Sequence, residues 1–148
     1  MWTSRRLFTF SFAAAAATAL TTPEAAACSC IEASPEEHLA FADVVFRGQV
    51  VCTLTPESAR AAQGGPDALE RVTRFDVLDI YKTDQPLAAQ VEVHHHADEC
   101  CICGVNFAWR STPLLLASRD QDTGRLWTNY CLRPRYSERE YRRILAGG

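Results

Sequence analysis

Apolar and polar residues alternate along much of the chain beyond residue 43. In Gln90–His96, Val91 and Val93 alternate with Gln90, Glu92 and His94, the two-residue period of a half-buried strand. Val44–Leu54 and Arg71–Tyr81 are longer β-rich runs, and Leu114–Ala117 is a short, wholly apolar one. Gly48 sits mid-strand, which predicts a bulge or sharp bend. Asp120–Gly124 predicts a hairpin turn, with Arg125–Cys131 as the returning strand. Two segments show helix-start chemistry instead. Ser34-Pro35-Glu36-Glu37 combines an N-cap serine, a proline at the first helical position and a capping-box glutamate, predicting a helix over Pro35–Ala42. Ser137-Glu138-Arg139-Glu140 repeats the box, and Tyr141, Ile144 and Leu145 share one face beyond it. Pro56–Asp67, small and polar, reads as a loop.

Five strands flanked by a front and a back helix predict an all-β domain, a small closed five-stranded barrel of the OB type. No linker or internal repeat interrupts it.

The first 27 residues have a different character. Arg5 and Arg6 precede an apolar, alanine-rich run, Leu7–Leu20, of about 14 residues, too short to span a bilayer. Pro23 ends it, and Ala25-Ala26-Ala27 offers a small-residue cleavage site. Residues 1–27 are therefore read as an export signal, and residues 28–148 as one domain that begins at Cys28. Ser4-Arg5-Arg6-Leu7-Phe8 resembles a twin-arginine signal, with an ordinary secretory signal as the alternative. Ala-Ala-Ala-Cys is also a weak lipoprotein signal, so a membrane attachment is expected only if Cys28 is lipidated.

All seven cysteines lie after residue 27, which fits an exported, disulfide-held domain. The domain is large enough to bury a core of its own, so disulfides reinforce it. The 121 residues from Cys28 carry a formal charge of −4. No basic field marks a nucleic-acid or anionic-membrane surface, and Trp109, Trp127, Phe107 and Tyr130 are read as barrel core or rim, not as a base-stacking platform.

Several segments together resemble the tissue inhibitors of metalloproteinases, OB-fold domains of the netrin-like class. Cys28-Ser29-Cys30 is similar to that family's mature N-terminus. Ala42–Val50 resembles its first strand, and Phe75–Lys82 its second, which ends in Tyr-Lys. Cys103-Gly104 followed by Phe107 resembles a Cys-Gly-x-x-Phe motif, and Leu114–Ser118 with Gly124–Cys131 the last hairpin. The resemblance implies disulfides Cys28–Cys103 and Cys30–Cys131. It also implies a monomeric exported inhibitor, periplasmic or extracellular, that is not an enzyme. Its partner is a zinc metalloprotease or another extracytoplasmic protein. In such an inhibitor Cys28 offers its α-amine and carbonyl to the protease's zinc, Ser29 enters the specificity pocket, and Cys30 is the second anchor. The chain departs from the pattern: the given sequence has no counterpart of the second, C-terminal domain or of the animal inhibitors' third disulfide. Cys52, Cys100 and Cys101 are extra, and a Cys52 bridge to Cys100 or Cys101 would leave one thiol over. A non-inhibitory binding module is the alternative role.

His94-His95-His96, closely followed by Cys100, Cys101 and Cys103, offers zinc or copper ligands. On a strand His94 and His96 share one face, and Cys100 lies across the following turn. The spacing matches no C-x2-C framework, and exported cysteines are expected as disulfides. The reading adopted is a solvated histidine face with no intrinsic metal and no cofactor. A Cys101–His95 nucleophilic pair has no support in the spacing, and His38 is the single histidine outside the cluster.

Overall fold

The computed structural model describes residues 28–99 and 103–147. In chain order they form helix α1 (Pro35–Ala40), strand β1 (Val44–Leu54), helix α2 (Glu57–Ala61), a 3-10 turn (Pro66–Leu69), and strands β2 (Glu70–Lys82), β3 (Gln90–His96), β4 (Leu114–Arg119) and β5 (Leu126–Trp127). A second 3-10 turn (Tyr130–Leu132) and helix α3 (Glu138–Ala146) follow. The strands close a barrel in the order β1-β2-β3-β5-β4. All neighbours are antiparallel except β3 and β5, which pair in parallel through Val93 with Leu126 and His94 with Trp127.

Long strands must coil to close so small a barrel. β1 does so through register shifts at Val45/Phe46, Arg47/Gly48 and Val50/Cys52. Gly48 permits the middle one: a Cβ there would lie 2.8 Å from the Phe46 ring and 3.0 Å from Phe75 Cβ. Inside, Phe46, Phe75 and Phe107 meet edge to face, with centroids 6.0 and 5.2 Å apart. Burying an aromatic ring of this kind contributes roughly 2–3 kcal/mol. A second apolar cluster lies outside the barrel, where Leu39, Leu116, Leu132 and Tyr141 pack α1 and α3 against β1 and β4.

Both capping boxes form. The Glu37 and Glu140 amides donate to the Ser34 and Ser137 hydroxyls, and the serine amides donate back to the glutamates. Hydrogen bonding from Ser137 holds the Glu140 carboxyl below its usual range. α1 stops at Ala40, two residues short of expectation, because Phe41 caps it and Ala42 is already buried in the outer cluster.

Two expectations need correction. The segment read as a loop holds α2 and a 3-10 turn, with Ala59 buried beneath them. The returning strand expected over Arg125–Cys131 pairs only at Leu126–Trp127. The Thr128 hydroxyl donates to Leu116 O at 2.8 Å, and Asn129 Oδ1 accepts from the amides of Cys131 and Leu132 at 2.9 and 3.1 Å. Those side-chain bonds replace the ladder and turn the chain into the 3-10 turn. No helix among the described residues is long and apolar enough to cross a membrane.

Candidate functional site

The segment from Cys28 to Ala33 has no regular secondary structure and is strapped across the barrel. Cys28 is bonded to Cys103 and Cys30 to Cys131, each with Cα atoms 5.3 Å apart. These are the pairs the resemblance implies. The two bridges lie two residues apart, and Ser29 is exposed between them.

Each anchor is itself held. Tyr130 donates its amide to Cys103 O at 3.1 Å. Gly104 passes so close to β3's end that a Cβ would sit 2.1 Å from Ala97 O and 2.6 Å from His96 O. Its neighbour Val105 donates to His96 O at 2.9 Å, fixing Cys103 against the barrel. Cys131 O lies 2.9 Å from His38 Nε2. A carbonyl only accepts, so Nε2 carries the proton and Nδ1 accepts from the Tyr141 hydroxyl 2.6 Å away. That hydroxyl accepts in turn from the Arg135 amide at 3.2 Å. Burial raises the Tyr141 phenol above its ordinary pKa, so it stays a neutral donor. Near the far end of the strap, Arg135 Nη1 reaches Ile31 O at 3.4 Å and the Tyr136 hydroxyl donates to Ala33 O.

A free amine at Cys28, with the carbonyl of the same residue, would present two hard donors beside an exposed serine. With the sulfur tied in the disulfide, those two donors would be what Cys28 has left to offer.

The histidine cluster differs from expectation. His94 and His96 do share a face, but His94 and His95 are buried, at 9% and 1% exposure. Trp127 of β5 covers the outer face, with its ring centroid 5.1 Å from that of His94 and 5.7 Å from that of His96. His94 Nδ1 lies 2.8 Å from Glu70 Oε1. His95 points into the barrel, edge-on to Phe107, and its Nε2 lies 2.8 Å from the Thr73 hydroxyl, which lies 2.7 Å from that of Thr53. Burial pushes the His95 pKa down. The solvated histidine face is therefore a packed one. Among the described residues no group of three His, Cys, Asp or Glu side chains is placed to hold a metal ion.

Cys100 and Cys101 lie outside the described residues. Among the described residues Cys52 is bonded to no other cysteine. Trp109 stands out at a turn tip, 72% exposed, with the Arg110 guanidinium 5.2 Å from its ring centroid. Of the residues that brace the strap, the sequence marks His38 alone, as a lone histidine at the fourth position of a helix that starts five residues after Cys30. Nothing in it marks Arg135 and Tyr136.

A closed five-stranded barrel carrying a disulfide-strapped N-terminal Cys-x-Cys segment defines an OB-fold domain of the netrin-like class. The family model described as "Tissue inhibitor of metalloproteinase" matches residues 26–136, and the chain belongs to that family. Among curated proteins, no match to the chain was found.

Proposed function

We propose that the chain is exported, that cleavage after Ala27 makes Cys28 its first residue, and that it then inhibits zinc metalloproteinases through that residue. A catalytic zinc has three protein ligands and holds water in its open position. The α-amine nitrogen and carbonyl oxygen of Cys28 form a five-membered chelate ring with such an ion and displace the water. Ser29 then enters the adjoining specificity pocket. The single observation that carries this reading is the pair of disulfides flanking an exposed Ser29. They tether the side chains on either side of Ser29 to the barrel before binding, which lowers the ordering cost.

Two further points support it. Disulfides belong in an oxidising compartment, which favours the periplasm or the extracellular space. The Cys28–Cys103 bond also occupies the sulfur that lipoprotein acylation would use, so it favours an unanchored chain over a lipid-anchored one.

The test uses two chains, one starting at Cys28 and one with a single alanine ahead of it. Both are assayed against several zinc endopeptidases. The added residue turns the amine into an amide and fills the space the zinc needs. Inhibition confined to the first chain is expected. Equal inhibition by both removes the chelating mechanism, and binding of either without inhibition makes the domain a binding module.

A further inference from the structure

The strap from Cys28 to Ala33 makes no main-chain to main-chain hydrogen bond with any described residue. Its two disulfides hold side chains, and a side-chain tether leaves the backbone torsions on either side free to turn. Among the described residues, the strap's main chain is held at two carbonyls only, Ile31 O by Arg135 and Ala33 O by Tyr136. The Arg135 contact, at 3.4 Å and exposed, is the weaker of the two.

Tyr136 is itself placed with care. Its ring meets Tyr141 edge to face, with centroids 5.9 Å apart at 86°, and meets His38 at 6.4 Å and 63°. His38 and Tyr141 are buried and joined by the hydrogen bond described above, and His38 also holds Cys131, the partner of Cys30. One aromatic frame, built from α1, α3 and the segment before α3, therefore holds the strap at both ends of its second half.

We propose that this frame positions the inhibitory N-terminus, with Tyr136 as the positioning residue that acts through Ala33 O. The proposal rests on the inhibitory reading given above. Tyr136 touches neither the zinc nor the protease in this account. It limits the directions in which Cys28 and Ser29 leave the second disulfide, so the chelate is presented in one geometry.

The experiment compares the chain starting at Cys28 with its Tyr136→Phe variant, which keeps the ring and removes only the hydroxyl. Three quantities are read: the inhibition constant, backbone NMR order parameters over residues 29–33, and the melting temperature. The expected result is a roughly tenfold weaker inhibitor with lower order parameters in the strap and a melting temperature within a few degrees of the parent, since one hydrogen bond is lost. A melting temperature lowered by more than about 10 °C would mark a structural role for Tyr136, and that outcome overturns the proposal. Unchanged order parameters, or an unchanged inhibition constant where the parent inhibits, overturn it too. A parent chain that inhibits nothing overturns the inhibitory reading and this role with it. Lower order parameters in the variant would then stand as a structural property alone.

Discussion

Gly104→Ala places a methyl group where the backbone leaves no room. The new Cβ would lie 2.1 Å from Ala97 O, 2.4 Å from Ala97 C and 2.6 Å from His96 O. Cβ atoms essentially never come within 3.0 Å of another such atom, so something must move by roughly 1 Å. No side chain is available to give way, since all three atoms are backbone. The Val105 amide bond to His96 O, 2.9 Å long, and the Ala97 amide bond to Leu69 O, 2.8 Å long, resist the shift. Overpacking costs typically about 1–3 kcal/mol, and a weakened hydrogen bond adds about 1. A loss of about 2–4 kcal/mol follows, or about 8–16 °C in melting temperature for a domain of this size. Urea denaturation of the oxidised chain measures it. Gly124→Ala is the control. Its φ of 70° strains an alanine, but nothing lies within 4 Å of the new Cβ, so about 1 kcal/mol is expected. If Gly104→Ala costs no more than Gly124→Ala, the close approach is not what holds Cys103 in place and the reasoning fails.

Other expectations follow from the same structure. Replacing Cys30 and Cys131 together by serine removes a bridge spanning 101 residues, and a loss of up to about 4–5 kcal/mol in urea denaturation is expected from the constraint on the unfolded chain. A loss under 1 kcal/mol would mean that Cys28–Cys103 already supplies that constraint. Because burial depresses the His95 pKa, the unfolded chain takes up a proton there first as the pH falls. The stability His95 contributes is thus complete above its ordinary value of about 6.5 and is lost as the pH falls below it towards the folded value. Stability measured between pH 7 and 5 should fall, and His95→Gln should flatten that slope. The depressed carboxyls Asp84, Asp120 and Glu140 titrate lower still and do not interfere. On the proposed mechanism a free α-amine at Cys28, with an ordinary pKa of about 8, would bind zinc only after losing its proton, so the inhibition constant is expected to improve by roughly tenfold or more between pH 6.5 and 8. A flat profile against a protease whose own activity is constant over that range would count against the amine as a ligand.

The helix starts were legible because capping is local: Ser34 with Glu37 and Ser137 with Glu140 carry their whole signal within four residues. The bend at Gly48 was legible for the same reason, although its cause, the Phe46 and Phe75 rings, was not. The truncated β5 was illegible because Thr128 finds Leu116, twelve residues away, and Asn129 caps a turn instead of joining a ladder. The histidine faces show the division most clearly. Strand alternation separated His95 from its neighbours, but only the tertiary fold brings Trp127 over His94 and Phe107 against His95. At the site, Cys28 and Cys30 stood out through residue type and resemblance. Tyr136 lies more than a hundred residues from Ala33, and nothing local marks it.

The most direct measurement replaces the zinc of a metalloprotease with cobalt(II), whose visible absorption reports its ligands. The chain starting at Cys28 is titrated into that enzyme. Stoichiometric growth of a new spectrum is expected as nitrogen and carbonyl oxygen replace water, with no such change for the chain bearing one extra alanine. An unaltered cobalt spectrum in a complex that still blocks catalysis would contradict chelation by Cys28.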